Sequence, residues 1–162
     1  MFRPRTCLIV IATLATMLAG AASPPETVGE SKGALEGSWR VTITGGVGTP
    51  TLPDWYGALV TFTHEGGLVA TITDGAISTG HGAWSKVGSH EFAITIELRQ
   101  FNAGGSFAGT LKATATITVN NAATQFTSDE YRFEFFDPDG NPTGFSGVGQ
   151  ATGTRISASP AS

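Results

Sequence analysis

The chain has 162 residues, nine Lys+Arg against thirteen Asp+Glu, a net charge of −4 and a single cysteine, Cys7. An acidic chain without a basic cluster has no electrostatic footprint for nucleic acid or anionic lipid, so both are excluded as partners. One cysteine excludes an intrachain disulfide framework.

Reading from the start, Arg3 and Arg5 precede an unbroken apolar run over 7–18, and small residues follow over 19–23. That order predicts a secretory signal peptide over 1–22, with its apolar core too short to span a bilayer. Its removal takes away Cys7 and leaves seven basic residues against thirteen acidic ones, or −6. The mature chain is then expected to be secreted or periplasmic, without membrane insertion and without thiol chemistry. Residues 23–35 mix Pro, Gly and charge without periodicity, which predicts a flexible leader. A barrel domain over 36–157 and a disordered tail over 158–162 complete the expected organisation.

From Glu36 onward, short alternating runs are separated by turn residues. Eight strands are predicted, over 38–44, 58–63, 68–73, 83–87, 92–101, 107–119, 125–136 and 144–156. The turns between them include His64-Glu65-Gly66-Gly67, Gly88-Ser89-His90, Asn120-Asn121 and Pro138-Asp139-Gly140-Asn141. Connections this short join antiparallel neighbours, because a parallel crossover needs a dozen residues or more. Within the runs, Phe92, Ile94, Ile96 and Leu98 alternate with polar neighbours, as do Leu111, Ala113, Ala115 and Ile117. Each strand therefore has one buried and one wet side. With no helix to cover the apolar side, closure removes the exposed edges and lets the sheet bury its own inner face. The predicted fold class is all-β, an eight-stranded antiparallel up-and-down β-barrel.

The first strand opens Gly37-Ser38-Trp39 and the last ends Gly153-Thr154-Arg155-Ile156. In these residues the chain resembles the calycin superfamily, and within it the lipocalins. There a G-x-W begins the first strand, and an arginine late in the last strand packs across that Trp. The resemblance implies that Trp39 and Arg155 close the barrel floor in a structural role, with a cation over the indole face. A weaker resemblance, to allene oxide cyclase and dirigent-type barrels, implies cyclisation or coupling chemistry instead.

If the first strand starts at the floor, the connections over 45–57 and 74–82 line the opposite mouth. Long Gly-rich loops at one end of a scaffold are where binding usually resides. This selects Trp55 and Tyr56 in the first loop, and Ser78 and His81 in the second, as ligand-binding candidates. Phe62, Phe92, Tyr131 and Phe133 join them as interior aromatics. His64 and His90 fall in floor-side turns away from His81, so a three-His metal site is not expected. No nucleophile or carboxylate pair can be fixed beside His81, so no catalytic residue and no cofactor are assigned. The leading expectation is an exported lipocalin-like barrel that binds a small hydrophobic ligand, with Tyr131, His81 and Ser78 as polar handles. The alternatives are a barrel isomerase or cyclase and a solid-core structural module. An interior of eight strands is either filled by side chains or holds one small ligand.

Overall fold

A computed structural model describes residues 32–45 and 57–159. A 3-10 turn at Lys32–Ala34 leads into β1 (Gly37–Gly45), β2 (Gly57–Phe62), β3 (Gly67–Ile72) and β4 (Gly80–Lys86). These are followed by β5 (Glu91–Phe101), β6 (Phe107–Val119), β7 (Gln125–Phe136) and β8 (Pro142–Arg155). Each strand pairs antiparallel with its chain neighbour, and β1 pairs with β8 to close the barrel. The closing register runs from Trp39↔Arg155 to Gly45↔Gly149. Closure leaves no sheet edge unpaired.

Alternation decides what faces inward. Trp39 and Val41 of β1, Ala58, Val60 and Phe62 of β2, and Leu68 and Ala70 of β3 are buried, while their odd-one-out neighbours Arg40, Leu59 and Val69 are exposed. One break in this rule shapes the interior. Between Ala115 and Thr118 of β6, and between Ala151 and Gly149 of β8, β7 carries one residue more than either partner. This bulge lets Phe126 and Ser128 point inward below it, and Tyr131 and Phe133 line the interior above it. Strict alternation would have turned one of the two sets to solvent. The inward Ser128 hydroxyl donates to the Glu130 carbonyl at 2.8 Å, so its burial leaves no orphaned polar group.

One end of the barrel is packed solid. Trp39 stacks on Phe126 with centroids 5.1 Å apart, and Trp84 contacts Phe62 and Phe92 at 6.4 and 5.7 Å. Leu35 adds a side chain with no exposed surface from outside the strands. The Trp39 indole N–H donates to the Leu35 carbonyl at 2.8 Å. Ala34 and Leu35, read from sequence as the end of a flexible leader, thus form part of this base.

The fourth strand begins earlier than its sequence pattern suggests. Gly80, His81 and Gly82, expected in a loop, are the first residues of β4. Gly82 faces inward where a Cβ would collide with the Thr95 backbone carbonyl of β5, so glycine is what permits that approach.

Candidate functional site

Above the packed base the barrel is hollow. A cavity of about 280 Å³ opens at the end opposite Trp39 and Arg155. That is close to the lower end of the roughly 300–1,000 Å³ of small-molecule sites. Small residues at inward positions create it: Ala58 on β2, Ala70 on β3, Ala113 and Ala115 on β6, and Ala151 on β8. None of these reaches the barrel axis, and the aliphatic chains of Ile43, Ile72 and Ile96 line the space without filling it.

Its two sides differ in chemistry. β7 and β8 supply an aromatic wall in which Phe133 lies 5.9 Å from Tyr131, 6.0 Å from Phe135 and 6.1 Å from Phe145. Phe135 and Phe145 are 5.3 Å apart. Phe145 lines the cavity yet is 49% exposed, which sets it at the rim. Across the mouth, Asp74 continues the inward series Leu68, Ala70, Ile72 beyond the end of β3. Gln100 likewise continues the inward series of β5, and Ile77 is bridged to it. The Asp74 Oδ1 accepts the amide of Ala76 at 2.9 Å, which shapes the turn that follows β3.

The sequence-selected residues separate into three groups. Phe62, Tyr131 and Phe133 line the cavity. Phe92 does not: it is wholly buried against Trp84 in the base, because its place at the start of β5 puts it at the packed end. His81 and Ser78 do not line it either. His81 lies on the outward phase of β4, opposite Val69 and Glu97, and is exposed on the barrel's outer wall. Ser78 is committed to holding the β3–β4 connection against β5: its Oγ donates to the Thr79 carbonyl and accepts the Arg99 amide. Trp55 and Tyr56 lie outside the described residues.

Sequence reading missed Phe145, Asp74, Gln100 and Ile77. For Asp74 and Gln100 the signal was present, since both keep the two-residue phase of the strand that precedes or contains them. Phe145 sits in a glycine-rich stretch where two extra residues of β8 between Ser146 and Pro142 interrupt the ladder with β7. Among the described residues, no group of three or more His, Cys, Asp or Glu comes together to hold a metal. His64 pairs with Glu36 at 2.9 Å on the outside of the base, and His90 is exposed at the same end.

No protein-family model matches the chain, nor does any curated protein. Among solved structures it is similar to EF1p2_mFAP2b bound to DFHBI, with 21% identity and a TM-score of 0.43. The match covers 78% of this chain and 97% of that one.

Proposed function

We propose that the protein is a binding barrel that takes a small, largely apolar molecule into the cavity above its packed base. The observation that carries this reading is the hollow itself: an opening lined by aliphatic and aromatic side chains, over a floor in which every large ring already has partners. Burial of apolar ligand surface there contributes roughly 25 cal/mol per Å². The aromatic wall adds shape selection for flat or chain-like bodies. Among the described residues, the lining presents no paired carboxylates and no histidine, and this favours binding over acid–base catalysis. The charged, apolar, small order of residues 1–22 supports export as part of the same reading, and amino-terminal sequencing of the secreted chain tests it.

Calorimetric titration with 1-naphthylmethanol tests the site. The wild-type barrel is expected to bind it, and Ala113→Phe is expected to weaken binding at least about tenfold while circular dichroism stays native. Ala113 sits between Ile96 and Phe133 in the register, so a ring there projects into the free volume. No binding by the wild type, or equal binding by the variant, contradicts the proposal.

A further inference from the structure

The cavity has a charge character that its apolar lining conceals. Among the described residues that line it, Asp74 is the one with a formal charge at neutral pH. Among the described residues no lysine or arginine lines it: four basic side chains are turned outward by strand phase, while Lys86 and Arg155, on the inward phase of β4 and β8, lie at the base end. Arg40 and Arg99 alternate out of step with the inward residues of β1 and β5, and both are exposed. Lys112 lies between Leu111 and Ala113 on the outward phase of β6, opposite Glu97 and Glu134. Arg132, also outward, pairs with Glu130 at 2.7 Å. Arg155 is spent on the base, where it stacks on Trp39.

Opposite Asp74 stands the aromatic wall. In the closed strand order, β3 and β7 are four strands apart whichever way round the barrel is followed. The carboxylate at the end of β3 therefore faces Phe133 and Phe135 of β7 across the opening. A ring face is the negative pole of its quadrupole and attracts a cation within about 6 Å of its centroid. A carboxylate is complementary to positive charge, and so is any ring of the wall that turns its face to the opening; Phe133 and Phe135 stand at 86° to each other and so offer different aspects. Neither is complementary to an anion, which would lose its hydration with no donor of opposite charge in return.

We infer that the cavity selects organic cations, an aromatic or aliphatic body carrying an ammonium head, and discriminates against carboxylates of the same shape. The body lies among the isoleucines and alanines of the interior, and the head stays at the mouth between Asp74 and the rings of Phe133, Phe135 and Phe145. This rests on the reading of the cavity as a small-molecule site. The protein's overall acidity adds a long-range bias in the same direction.

Three probes of one shape test it: 1-naphthylmethylammonium, 1-naphthylmethanol and 1-naphthoate, titrated calorimetrically at neutral pH and low salt into wild type and Asp74→Asn. Asparagine keeps the Oδ1 acceptor for Ala76, removes the charge and exchanges Oδ2 for an NH2 donor. In the wild type the ammonium is expected to bind about tenfold more tightly than the alcohol, and the naphthoate more weakly than both, the size expected of a partly screened ion pair. In Asp74→Asn the ammonium and alcohol are expected to agree within about twofold. Equal affinities, a preference for naphthoate, or an undiminished ammonium preference in Asp74→Asn would each overturn the charge selectivity and leave the cavity as a binding site. If none of the three binds, the small-molecule reading falls and the selectivity falls with it.

Discussion

The guanidinium of Arg155 lies 4.4 Å from the centroid of the Trp39 indole, its register partner across the β1–β8 seam. It also donates to three backbone carbonyls, those of Ala34, Glu36 and Ala123. One side chain thus ties the turn before β1, the turn between β6 and β7, and both strands of the seam. Burial pushes the guanidinium pKa down, but an arginine keeps its charge at neutral pH.

Arg155→Ala strips all three carbonyls and the indole of their partner. The expected loss is about 3 kcal/mol of stability, or roughly 10 °C in Tm, measurable by thermal denaturation followed by circular dichroism. Arg155→Lys is expected to recover less than half, because a single ammonium cannot reproduce the planar fork that reaches three acceptors. A variant that melts with the wild type would contradict this role.

Leu35 precedes every strand, yet no part of its side chain is exposed. Leu35→Ala is expected to cost about 2–4 kcal/mol through lost burial and a cavity beneath Trp39. Urea denaturation checks it, with an unchanged slope showing that only the midpoint moves. Deletion of residues 32–35 should cost more, since it also removes the acceptor of the Trp39 indole N–H.

Gly153 pairs with Val41 and Phe126, and a Cβ built there would come within 2.1 Å of the edge of the Phe126 ring. Gly153→Ala is expected to destabilise by about 1–3 kcal/mol through overpacking. Gly75→Ala is the control. A Cβ at that position meets nothing within 4 Å, and the change is expected to stay within about 0.5 kcal/mol.

The β7–β8 turn carries a pH dependence of known sign. Asp137 accepts the amides of Asn141 at 2.8 Å and Asp139 at 3.0 Å. The bonds from Asn141, first from its backbone and then from its side chain, hold the carboxyl below its ordinary value. A depressed carboxyl supports the turn fully above the unfolded aspartate pKa, and that support is lost as pH falls below about 4 and through the folded value. Carboxyl carbon shifts of Asp137 are expected to titrate with a midpoint lower than in an unfolded peptide. Asn141→Ala, which keeps the backbone amide and removes the side-chain donor, should move that midpoint upward, and an unmoved midpoint would remove the Asn141 side chain as a contributor.

Much of this architecture is written in local sequence. Eight runs with a two-residue period and short turns lead directly to a meander, and the edge problem of a one-sided sheet leads to closure. What alternation could not reveal are the places where packing overrides it. A bulge in β7 brings Phe126 inward out of step with Tyr131. The Gly80-His81-Gly82 stretch has the composition of a loop but is a strand, because glycine lets β4 lie against Leu98 and the Thr95 backbone. That one misplacement made His81 a mouth residue in the sequence reading, whereas strand phase turns it to the outer wall. Leu35 was invisible as core because a single apolar residue carries no period. The hollow above the base depends on alanine and aromatic side chains meeting across the barrel axis, a relationship between distant strands that no local window contains.

Binding inside the barrel and not on its wall is checked by methyl NMR during titration with 1-naphthylmethanol. A ligand held inside is expected to give concentration-dependent shifts for Ile43, Ile72, Ile96 and Ala113, which line the cavity, with Leu59 and Val69 on the outer surface unmoved. Shifts confined to Leu59 and Val69, or no shifts at saturating probe, would contradict it.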